Sequence, residues 1–196
     1  MTSFSRIVAV LLSISASLSC QTSNNVEHNA DENEVVSVSS LGFRYTPPAG
    51  LTDKTTPECK ELRGHAVSYA TKAAQLLLDM PSNDPDTSPA WHQVWLFIFP
   101  RAALLNLSDA VAERKINTAL AGPHASPAGE PMTIKIGGHS FLLSEFEQRE
   151  PPLIKQAKIY TTICKTQLVS FVFVANSAEA MKSLEASLKS LAFSSN

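Results

Sequence analysis

From Met132 to Leu191 the chain carries four strand-like runs with short returns and then an amphipathic helix, and this order constrains the fold most. Met132–Ile136 and the run through Phe141, Leu143 and Glu145 are separated by Gly137-Gly138, a two-residue hairpin signal. Two further runs, about Ala157–Lys165 and Leu168–Ala175, are joined through Thr166-Gln167, and Pro151-Pro152 breaks the chain before them. Strands linked this closely pair antiparallel, because a parallel pair needs a crossover of about a dozen residues. Met181, Leu184, Leu188 and Leu191 follow at helical spacing behind a cap at Asn176 or Ser177. Their stripe is expected to pack on the meander, with Phe171 and Phe173 beneath it.

The first half reads less evenly. Phe43 and Tyr45 alternate with Arg44 and Thr46, the period of a half-buried strand, and Pro47-Pro48-Ala49-Gly50 ends it. Residues 61–72 can form a short helix. The run Ala73–Met80 has the length and neighbours of a strand but the Ala, Gln and Leu content of a helix. Residues 81–89 are dense in turn formers and make a loop. Trp91–Phe99, aromatic and β-branched, is a strand that closes at Pro100. Ser108 is expected to cap the next helix through its side chain, with Ala112, Ile116 and Ala119/Leu120 on one face and Gly122-Pro123 as the stop. The sum is an α+β fold, an antiparallel sheet flanked by helices, in one domain over residues 40–196.

Residues 1–19 read as a signal peptide. Arg6 is the sole charge ahead of the apolar run Ile7–Leu12, and small and apolar residues continue to Leu18. The run is too short for a membrane helix, which needs about 20 residues. Two cleavage readings stay open. Ser17-Leu18-Ser19 suits an ordinary signal peptidase; alternatively Cys20 is the lipid-modified cysteine of a lipoprotein, although Leu18 stands one place late for the usual box. Residues 20–39 are rich in Asn, Ser and Glu, and read as a flexible tether. The expected location is therefore the bacterial cell envelope, periplasmic or lipid-anchored. With Cys20 set aside, Cys59 and Cys164 form an even pair in an oxidising compartment. A disulfide between them would close a loop of about a hundred residues and contribute at most about 5 kcal/mol; two unrelated buried thiols are the alternative.

Chemistry-bearing motifs are scarce. A formal charge of −2 with scattered cations gives nucleic acid no basic patch to bind. Gly-x-Ser-x-Gly, phosphate loops and dinucleotide fingerprints are missing, and Gly137-Gly138-His139-Ser140 has the glycines of a hairpin, not of a nucleophile elbow. His28, His65, His92, His124 and His139 make no local metal-binding pair. Asp84 and Asp86 lack the further carboxylates and turn glycine of a calcium loop. Glu145 and Glu147 share a strand face, as a glycosidase pair does, but acids on the solvent face of an edge strand look the same. Lys60 and Lys165 follow the two cysteines and could favour a thiolate. Trp91 and Trp95, four apart, would point the same way in a strand, as core or as a hydrophobic rim. No catalytic, cofactor-binding or metal-binding residue is assigned.

Two stretches carry a family resemblance. Phe43–Gly50 resembles the opening strand and proline turn of the bacterial PsbP-like family, whose founding member is an extrinsic subunit of photosystem II. Tyr160-Thr161-Thr162 through Leu168–Phe173, the Leu-rich helix and Leu191-Ala192-Phe193 resemble its closing hairpin and helix. The resemblance implies an α/β/α sandwich on an antiparallel sheet, and a binding or assembly role without catalytic residues.

The expected function is an exported, non-enzymatic binding or assembly factor whose partner is another envelope protein, with membrane contact through Cys20 if it is lipidated. A small-molecule or ion-binding module using the 81–91 loop and the two tryptophans is the second expectation. A hydrolase or thiol enzyme is the third; it requires His65, His92 or His139 to meet Cys59 or Glu145 in space.

Overall fold

The computed structural model describes residues 35–38, 41–57, 75–104, 106–150 and 153–194. The expected signal peptide, Cys20, most of the expected tether, the expected helix over 61–72, Cys59, His28 and His65 lie outside the described residues.

The meander forms as read. Strands β6 (Met132–Ile136), β7 (His139–Glu150), β8 (Leu153–Cys164) and β9 (Gln167–Ala175) pair in succession, all antiparallel. Gly137 and Gly138 both take positive φ, 56° and 84°, as a tight two-residue hairpin turn requires. Gly137 has a second constraint: a Cβ there would sit 2.7 Å from the Leu191 carbonyl oxygen. The return between β8 and β9 differs from expectation by one residue. Lys165 takes the left-handed conformation (φ 54°), so the turn is Lys165-Thr166 and Gln167 pairs with Cys164 as the first residue of β9.

The ambiguous 73–80 segment resolves as strand β3 (Gln75–Pro81), paired with β4 (His92–Pro100). Pairing with an apolar neighbour overrides the helix propensity of its leucines. Among the described residues, α1 (Asp109–Ala121) and α2 (Ala178–Ser187) are α-helices, and single-turn 3₁₀ segments span Arg101–Leu104 and Leu188–Ser190. Ser177 caps α2 by accepting from the Ala180 N–H at 3.2 Å. Ser108 stands at the start of α1 but makes no side-chain cap bond. Arg101 organises that entry instead: its guanidinium donates to the Leu104 and Leu107 carbonyls, each at 2.6 Å, and to Asp109 at 2.9 Å.

Two three-residue strands, like the two-residue β10 (Ala192–Phe193), carry no signal in the sequence. Val36–Val38, at the end of the supposed tether, is strand β1; it buries Val36 and Val38 and pairs with β2 (Phe43–Tyr45). Ala125–Pro127, in the Pro/Gly-rich link after α1, is β5 and pairs with β7. Both are three residues long, too short for a period to stand out from their polar neighbours.

Among the described residues the strands make a seven-stranded sheet, β3-β4-β9-β8-β7-β5 with β6 also on β7, and a small sheet β1-β2-β10 that β10 (Ala192–Phe193) completes. Alternation along β9 sorts the core into two layers. Val169, Phe171, Phe173 and Ala175 face α2 through Ala180, Met181 and Leu184, together with Leu188, Leu191 and the small sheet's Val36, Val38, Phe43 and Tyr45. Leu168 and Val172 face the other way, against Ala112, Ile116 and Leu120 of α1. The architecture is therefore α+β, one antiparallel sheet held between two helices, with the small sheet beside α2. No helix among the described residues is long and apolar enough to cross a membrane.

Candidate functional site

Among the described residues, a polar surface held by several hydrogen bonds lies on the α1 side of β3 and β4, at the end carrying the 82–91 loop. That loop is tightly held. Ser82 N–H donates to the His92 carbonyl at 2.8 Å, and Ser88 and Trp91 close successive turns at 2.8 and 3.0 Å. From the far side, Asn176 donates its amide to the Asp86 and Ser88 carbonyls at 2.6 and 2.8 Å, and its backbone N–H meets the Trp91 carbonyl at 3.1 Å. Turn formers in the sequence thus become a loop anchored by a residue about 90 positions later.

Trp95 packs against the buried cluster of Phe146, Ile159 and Val172 on the α1 side. Trp91 sits just before β4, half-buried, with the Lys155 ammonium 5.4 Å from its ring centre. Lys155 alternates with Ala157 along β8, which places that contact on the α1 side as well. The two tryptophans therefore do share a side, although Trp91 lies outside the strand. Beside them Asp79 accepts from the Gln93 amide at 2.6 Å and from the Trp95 side chain. Burial pushes the Asp79 carboxyl above its usual range, while those hydrogen bonds and the Lys54 charge oppose the shift. The resulting shelf offers indole faces, an amide, a carboxyl and an ammonium on a rigid base. Such a surface suits contact and recognition; it aligns no nucleophile with a base.

The remaining candidates are placed apart or tied into structure. Glu145 is not on an edge strand: β7 lies between β8 and the β5/β6 edge, and Glu145 pairs with Lys158 at 3.0 Å. Lys158 also meets Glu185 of α2 at 2.8 Å, and the Tyr160 hydroxyl donates to the same carboxylate at 2.8 Å. Burial works against the Lys158 charge, yet its bonds to Glu185 and Glu145 hold the ammonium above the ordinary lysine value. His92 bonds the Ala90 carbonyl, and His139 stacks on Phe193 at 3.8 Å. Following the ladders from His92 through Ala175 and Gln156 reaches Glu147, eight residues along β7 from His139. At about 3.4 Å per residue that alone separates the two histidines by roughly 27 Å. Among the described residues no group of acids, histidines and cysteines is arranged to hold a metal ion.

Cys164 is a free, buried thiol in this structure, and its expected partner Cys59 lies outside the described residues. Burial pushes the thiol up to about 11, and the Lys165 charge offsets this only in part. The lysine beside it thus fails to make a reactive thiolate.

One titratable group was not singled out by its sequence context. Glu113 on α1 is half-buried, and burial, reinforced by the Asp109 charge one turn earlier, raises its carboxyl to about 7. Its folded value lies above the unfolded one near 4.5, so folding favours the protonated form and stability falls as pH rises from about 4.5 to 7. We expect Glu113→Gln to match the parent in urea melts at pH 4 and to exceed it by roughly 1 kcal/mol at pH 8, allowing for solvent screening. Equal stabilities at both pH values would refute this.

No family model matches the chain, and no curated protein matches it. Among solved structures it is similar to a protein of Bacteroides thetaiotaomicron VPI-5482 at 13% identity and TM-score 0.47, covering 80% of this chain and 47% of that one, so it spans about half of that protein's length. It is also similar to LpqN, described as involved in cell envelope biogenesis of Mycobacterium tuberculosis, at 8% identity and TM-score 0.42 over 78% and 83% of the two chains. The cyanobacterial PsbP, CyanoP, of Synechocystis sp. PCC 6803 is similar at 11% identity and TM-score 0.47 over 87% of this chain and 98% of that one. These likenesses assign no family, and the chain is identified by its own architecture as an α+β protein with an antiparallel sheet between two helices.

Proposed function

We propose that this chain is an exported, non-catalytic binding or assembly factor of the bacterial cell envelope, and that it meets a protein partner through the Trp91–Trp95 shelf. The observation that carries the reading is the shelf's construction: two half-buried indoles beside Asp79, Gln93 and Lys155, on a loop clamped by Asn176. Tryptophans held rigidly in a mixed polar setting are the usual anchors of protein contacts. Export rests on residues 1–19, and Cys20 is the proposed lipid attachment point.

The test is a photo-crosslinking residue placed at Trp91, with another at Lys182 on the exposed side of α2, in cells of the native host. A protein adduct at 91 and none at 182 is the expected result. No adduct at 91, or the same adducts at both positions, overturns the reading. A small ligand on the same shelf is the second reading; it predicts a rise in melting temperature with that ligand and no crosslinked protein.

The Cys59–Cys164 disulfide belongs to the same proposal. Denatured protein from the native host, alkylated before any reduction, should leave both residues unlabelled. Labelling of Cys164 at that stage would leave it a free buried thiol and remove the bridge.

A further inference from the structure

We draw no further inference here: the strongest candidate, the half-exposed apolar flank of the large sheet formed by Leu76 and Phe97 beside α1, continues the shelf already described, and nothing in the structure shows what covers it.

Discussion

Phe171→Ala is expected to destabilise the protein by about 4 kcal/mol, within the range of roughly 3–5 kcal/mol for emptying an aromatic site in a packed core. Phe171 is fully buried at the centre of β9. Its ring meets Tyr45 at 5.1 Å and Phe43 at 5.9 Å, both edge-on, and Phe141 at 6.4 Å. Those partners belong to β2 and β7, so one side chain joins the small sheet to the large one. The loss is a cavity plus the edge-to-face contacts, and the β2 backbone cannot collapse into the space without breaking its pairing with β1 and β10. Against a typical total of about 5–15 kcal/mol, such a loss should lower the urea midpoint steeply. Amide exchange should also quicken first in β1, β2 and β10, while β7 and β8 keep their protection. A cost below about 1.5 kcal/mol, the range of a conservative core swap, would show that the aromatic cluster does not hold the two sheets together.

The second large effect is expected at Asn117→Ala, about 3 kcal/mol. Asn117 is fully buried on the sheet side of α1. Its amide donates to the Ser144 hydroxyl at 2.9 Å and the Leu142 carbonyl at 3.2 Å, and its carbonyl oxygen accepts from Thr161. The Thr161 proton is committed to Asn117, so at 2.6 Å Ser170 must be the donor to Thr161. Removing Asn117 leaves the Thr161 proton without its acceptor and the Ser144 hydroxyl without its donor, both away from water, and each orphaned group costs about 1–3 kcal/mol. The quadruple change Asn117→Leu, Ser144→Ala, Thr161→Val, Ser170→Ala removes the four side-chain groups together, and should recover more than half of the loss. If Asn117→Ala alone costs under about 1 kcal/mol, water or a rotated neighbour satisfies these groups, and the network is not what seats α1.

Legibility followed the range of the interaction. The Gly137-Gly138 turn, the Met181–Leu184–Leu188–Leu191 stripe and the β6–β9 meander could be read because a turn or a helix face is decided within a few residues. The Asn117–Thr161–Ser170 set could not. Serine and threonine in a strand look like solvent-facing positions until another element is laid over them. The shelf was half legible: the spacing of Trp91 and Trp95 suggested a shared side, whereas Lys155, Asp79 and the Asn176 clamp come from distant segments. Glu145 lies inside the sheet and not on an edge for a related reason: its neighbour β5 is a three-residue strand hidden in a proline-rich link.

By itself the sequence determined the α+β class, the antiparallel sense of the meander and the face on which α2 packs, because short linkers and side-chain periods leave few alternatives. Only the tertiary structure decided that β9 lies beside β4, pairing His92 with Ala175 and Pro100 with Gln167, and that Val36–Val38 closes the small sheet. Such pairings join residues far apart in the chain. Their free energy appears only after the closure entropy of a long loop has been overcome, and it depends on what both strands bury together.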